Sequence, residues 1–105
     1  MRRINKEKGF FQIDQELIAI YKEWISQNPY DNGCGWATEP WSQKEMPLSD
    51  DLVKSASMRN DVAVIVIGRT AGEDKDNSYT NGSYCLTSDE ISMIEKVTAE
   101  FKETV

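Results

Sequence analysis

The chain has 105 residues, 39% of them apolar, which suits one small soluble core rather than a disordered segment. Its 12 basic residues stand against 18 acidic ones, and the net charge of -6 repels phosphate-rich partners and argues against a nucleic-acid ligand. Histidine is absent, which excludes Ser-His-Asp and Cys-His nucleophile arrangements and removes the commonest ligand of transition metals. Cys34 and Cys85 lie far apart without CxxC spacing, so they read as two unpaired thiols of a reducing compartment. No apolar run approaches the roughly 20 residues of a membrane helix, and no apolar stretch follows the basic segment Met1 to Gly9 as a signal peptide requires. The sequence therefore reads as soluble and unprocessed, with a cytoplasmic location favoured.

In chain order, Ile13, Leu17, Ile20, Tyr21 and Trp24 recur at helical spacing and predict an amphipathic helix over 13–27, ending near Pro29. Residues Asn28 to Pro47 collect Asn, Gly, Pro, Ser and Asp around Tyr30, Trp36 and Trp41, the composition of a long loop. Ser49 or Asp50 can cap a second helix over 49–59, carrying Leu52, Val53 and Ala56 inward. Val62 to Ile67 is a continuous apolar and mostly β-branched run, the pattern of a central parallel strand covered on both faces. Gly68 to Leu86 is a second long loop, after which Thr87 and Glu90 form a capping box for a helix over 88–102 with Ile91, Ile94, Val97 and Phe101 as its buried stripe. Met46, Met58 and Met93 read as core or rim packing.

The resulting fold class is α/β, an incomplete doubly wound parallel sheet of the αβα sandwich type. A buried parallel strand needs neighbours on each side, and the sequence offers only Glu103 to Val105 and Phe10 to Gln12 for that role. Unpaired strand edges of this kind predict a homodimer formed by strand pairing or helix exchange.

Ligands of open α/β sheets bind beyond the carboxyl ends of the strands, and the segment leaving the best strand reads Gly68-Arg69-Thr70-Ala71-Gly72-Glu73-Asp74-Lys75-Asp76-Asn77. Its ionisable groups are close enough to perturb one another, so a carboxyl there can serve as a proton donor or as a solvated anion. Asp74, Asp76 and Ser78 have calcium-loop spacing, but the sixth position is Tyr79 and the twelfth Cys85, so no metal is expected. Asn81-Gly82-Ser83 fits both a glycosylation sequon and a tight turn. Trp36 and Trp41 can stack on sugar faces or pack their loop onto the domain.

The strings NPYDNGCGWATEPWSQKEMPLSDDLV, DVAVIVIGRTAGEDKDN and GSYCLTSDEISMIEKV, in this order, resemble the second, α/β domain of glycoside hydrolase family 3 β-glucosidases from about Gly9 to Val105. The resemblance implies that residues 1–105 are part of that domain, with the catalytic barrel and its nucleophilic aspartate absent. It also implies that Glu73, in the pattern Arg-x-x-Gly-Glu, is the general acid/base, with a pKa above that of a free glutamate. Arg69 opposes such a shift, so its side chain should point away or bind sugar or another carboxylate. Arg69, Asp74, Trp36 and Trp41 are the implied substrate contacts, although Asp74 to Asn77 stand where some members carry Gly-x-Asp-Arg. The implied ligand is a β-linked glucoside or oligosaccharide, with no cofactor and with no hydrolysis by these residues alone. The competing reading is a non-catalytic α/β module for ligand binding or assembly.

Overall fold

Asp14, Ser49 and Thr87 each precede an apolar-periodic stretch, and each caps a helix. The computed structural model describes residues 12–70 and 78–105. Helix α1 spans Gln15–Gln27, and the Asp14 carboxylate accepts from the Glu16 and Leu17 amides at its start. Helix α2 spans Asp50–Arg59 and is capped by Ser49, whose hydroxyl accepts from Leu52 N. Helix α3 spans Ser88–Glu100 and begins with the full Thr87/Glu90 capping box. All three helices follow the sequence periodicity to within a few residues at each end.

Between α2 and α3 runs strand β1, Val62–Ala63, and after α3 comes β2, Glu103–Thr104. The two pair in parallel, with Val62 opposite Glu103 and Ala63 opposite Thr104. Two further backbone bonds lengthen the pairing, from Val105 N to Ala63 O at 2.9 Å and from Ile65 N to Val105 O at 2.8 Å. A parallel pair needs a long crossover, and α3 supplies it. The Glu103 to Val105 stretch thus supplies the neighbouring strand, whereas Phe10 and Phe11 lie outside the described residues.

The core is small. Val53 from α2 and Met93 and Val97 from α3 are buried, with Leu48, Ala63, Ile65 and Phe101 packed around them. Lys96 ties the start of α2 to α3 by donating to the Leu48 carbonyl at 2.6 Å. Helix α1 has no buried residue and attaches through its cap, because Asp14 also accepts from Arg59 and Asn60 at 2.7–3.2 Å. Between α1, α2, β1 and α3 a cleft of about 760 Å³ opens, walled by Leu17, Tyr21, Val53, Ala63, Val64 and Phe101 among others.

Three expectations change. The face that α3 buries carries Glu90, Met93 and Val97, while Ile91 is 44% exposed. Val97 and Phe101 of the expected stripe do pack in the core, and the departure is confined to the first turn, where Glu90 rather than Ile91 faces inward and meets a cation. The β-branched run is paired over a shorter length than 62–67, and Val64, Val66 and Ile67 are exposed, since the one strand neighbour reaches only as far as Ile65 and one helical layer lies against the run. Met58 is exposed on α2, whereas Met46 and Met93 are buried as expected.

This packing makes a direct prediction. Met93→Ala should destabilise the chain by about 2–5 kcal/mol, the range for large-to-small core changes. Ile91→Ala should stay within about 0.5 kcal/mol, as surface changes do. Urea unfolding of the two variants checks the contrast.

Candidate functional site

Beyond β1 the chain runs uncharged as far as Gly68, and Arg69 is the first charged residue after the strand. Its side chain is only partly exposed, and it turns back toward the start of α3. Nη1 and Nη2 donate to the two oxygens of Glu90 at 2.6 and 2.7 Å, a bidentate pair. Nη1 also donates to Gly68 O at 2.8 Å, Nη2 to Cys85 O at 3.2 Å, and Nε to Ser83 O at 2.8 Å. A guanidinium has five N–H donors, and each of these five bonds engages one. Of the alternatives left by the sequence, pointing away, binding sugar or binding another carboxylate, the described residues realise the last.

Glu90 is 3% exposed, and its Oε1 also accepts the Thr87 amide at 2.8 Å. The hydrogen bonds from Arg69 hold its carboxyl below the usual carboxylate range against the opposing effect of burial. The same bonds raise Arg69 further, keeping the guanidinium charged. Sequence reasoning assigned Glu90 only to the capping box. Nothing local in the sequence marks it as the partner of a residue 21 positions earlier.

Around this pair the two long loops meet. Thr70 N donates to Trp41 O at 2.7 Å and the Thr70 hydroxyl to Pro40 O, so the segment bearing Trp41 lies against the loop root. Trp41 is half-buried, while Trp36 is 80% exposed and stands apart from this junction. On the returning side Ser78 N donates to Ser83 Oγ at 3.0 Å and Gly82 N to Cys85 O at 2.8 Å. Gly82 takes φ +87°, and a side chain there would stand 2.9 Å from Ser42 Oγ; the glycine opens a turn over 82–84 closed by the bridge between Asn81 and Cys85. Beside it the rings of Tyr79 and Tyr84 lie 5.6 Å apart, both exposed. Glu73 and Asp74 lie outside the described residues.

A second carboxylate, Glu45, is half-buried in the cleft wall and is pushed up by burial and then by the charges of Glu90 and Asp89. Cys34 and Cys85 are both free thiols. Among the described residues no three potential ligands converge on a metal position, and no helix is long and apolar enough to cross a membrane.

No protein-family model matches the chain. A β-glucosidase of Ruminococcus albus is 46% identical over 94 residues, which are 90% of this chain and 10% of that protein. The solved β-glucosidase of Paenibacillus barengoltzii matches with a TM-score of 0.86 at 50% identity, again over 90% of this chain and 10% of its own. β-Glucosidase 3B of Thermotoga neapolitana, solved in complex with glucose, matches with a TM-score of 0.71 at 30% identity, over 92% and 14%. A parallel β-α-β unit matched in this way to three such enzymes is an α/β segment of the glycoside hydrolase class. Over 90% of its length the chain is homologous to a segment of these β-glucosidases, and it spans about a tenth of the length of the relatives it matches.

The ion pair makes stability pH-dependent. Glu90 and Asp14 both have lowered pKa values, Asp14 because its bonds from Asn60, Arg59 and Leu17 outweigh a larger single effect of burial in the opposite direction. A depressed carboxyl binds fewer protons folded than unfolded, so its contribution is present above the ordinary carboxylate pKa and is lost as pH falls through the folded value. Glu45 is raised, so its contribution runs the other way and declines as pH rises from the ordinary to the raised value. Glu90→Gln should lower stability at pH 7 and flatten the acid limb of a plot of melting temperature against pH. An unchanged acid limb would contradict the assignment.

Proposed function

We propose that this chain is the part of a retaining β-glucosidase that carries the general acid/base, with Glu73 in that role. The 46% identity to the Ruminococcus albus β-glucosidase over 90% of the chain carries the reading. The position of Glu73, four residues beyond an arginine anchored to buried Glu90, supports it further. In the first step the Glu73 carboxyl gives its proton to the glycosidic oxygen as the C1–O bond breaks. At the same time an aspartate outside this chain bonds to C1 from the opposite face, about 5–5.5 Å from Glu73. In the second step the Glu73 carboxylate takes a proton from water as the water oxygen displaces the aspartate, which releases the sugar and restores the acid. Both steps are proton and glycosyl transfers and need no cofactor.

The substrate is a β-linked glucoside or oligosaccharide. Asp74, Trp36 and Trp41 are the candidate contacts to the sugar or its leaving group, whereas Arg69 serves through Glu90. Residues 1–105 form part of an αβα sandwich of the doubly wound kind, whose remaining strands extend the sheet past β1, and the nucleophile belongs to a barrel elsewhere in the protein. The isolated chain does not hydrolyse glycosides, because one carboxylate of the pair is missing. In isolation the open edge of β1 pairs with a second copy, for which the exposure of Val64 and Val66 is the support.

Two measurements test this reading. In the full-length protein, Glu73→Ala should lower kcat/KM by about 10²–10⁴-fold on phenyl β-glucoside and far less on 2,4-dinitrophenyl β-glucoside, since only the poor leaving group needs a proton. Azide should restore turnover as a β-glycosyl azide. Equal activity of variant and parent would remove Glu73 from the chemistry. Sedimentation equilibrium of the isolated chain should give a dimer, and a strict monomer at high concentration would defeat the strand-edge association.

A further inference from the structure

Segment 71–77 lies between Thr70 and Ser78, and each of these flanking residues is held by hydrogen bonds of its own. On the departing side, Thr70 is bonded to Trp41 and Pro40. On the returning side, the Ser78 amide is bonded to the hydroxyl of Ser83, a residue only 5% exposed. Arg69 joins the two sides, because its backbone directly precedes Thr70 on the departing side while Nε and Nη2 bind the carbonyls of Ser83 and Cys85. Glu90 fixes the guanidinium in turn, and it lies on the first turn of a helix whose next two inward residues, Met93 and Val97, are core. A continuous path of packing and charge-assisted bonds therefore runs from the core through Glu90 and Arg69 to both ends of the segment.

We infer that Arg69 and Glu90 are positioning residues that fix both ends of the acid/base segment, with the guanidinium held by Glu90 instead of binding sugar. The inference rests on the reading of Glu73 as the proton donor. Its physical basis is the fork geometry of arginine. Five N–H groups in one plane reach two carbonyls across the loop, one carbonyl on the near side and both oxygens of a carboxylate, and a lysine ammonium with three donors cannot span that set. A proton donor displaced by about 1 Å can lose about 10²-fold in rate. A weakened anchor should therefore affect the proton transfer far more than glucoside binding.

The test uses the full-length protein with Arg69→Lys, Glu90→Gln and Glu73→Ala, each assayed on phenyl and on 2,4-dinitrophenyl β-glucoside. Arg69→Lys should lower kcat/KM on the phenyl substrate at least about tenfold more than on the dinitrophenyl one, in the same sense as Glu73→Ala and by a smaller factor. A purely structural role reduces the active fraction and lowers both substrates equally. A sugar-binding role raises KM for both with kcat unchanged. Either of those results overturns the positioning role. If Arg69→Lys does not fold, Glu90→Gln, which keeps the side-chain shape and removes the charge, is read by the same comparison. If Glu73→Ala itself makes no distinction between leaving groups, the acid/base reading fails first and the positioning role falls with it.

Discussion

The bidentate pair between Arg69 and Glu90 joins parts of the chain that nothing else in the described residues connects so directly. Glu90 is almost wholly buried, and a carboxylate removed from water is tolerated only with a cation and further donors beside it. Arg69 supplies the charge and two bonds, and the Thr87 amide supplies a third. Removing one partner would leave a charge buried alone, at a cost of roughly 3–5 kcal/mol by comparison with other broken buried pairs. That is a large fraction of what a core of this size can provide. The pair thus sets the rotation of α3, the exit of the chain from β1 and the closure of the turn at Gly82 together.

The rest of the fold is light by comparison. Two short parallel strands, two helices packed around Val53, Met93 and Val97, and a third helix held by Asp14 leave an apolar cleft along β1. The described residues leave this cleft open, and the chain spans about a tenth of the length of its relatives. The proposed sandwich would fill it with the strands that continue the sheet.

Local signals in the sequence were sufficient for the helices, because Ser49, Thr87 and the apolar spacing act within a turn of the residues they govern. The second strand was also legible, since Glu103 to Val105 is the one short stretch after α3 able to pair with Val62 and Ala63. The inward residue of the first turn of α3 was not, although Val97 and Phe101 further along were. An apolar stripe through Ile91 satisfies periodicity as well as one through Met93, and the choice depends on a cation 21 positions earlier in the chain. The Val62 to Ile67 run has the pattern of a strand covered on both faces, whereas Val64, Val66 and Ile67 are exposed. At the site, glycine and charge drew attention to the loop beyond β1. The capping box gave Glu90 a complete local explanation, so its second role stayed hidden. Another carboxylate was one of the fates open to Arg69, beside pointing away or binding sugar, and it named a type of partner without the residue.

The most direct test of the account is a crystal structure of the full-length protein with a non-hydrolysed β-glucoside bound. The account predicts the Arg69 guanidinium on both oxygens of Glu90, away from the sugar, and the Glu73 carboxyl within hydrogen-bond reach of the glycosidic oxygen. An Arg69 side chain released from Glu90 onto the glucoside, with Glu73 turned from the scissile bond, would contradict it.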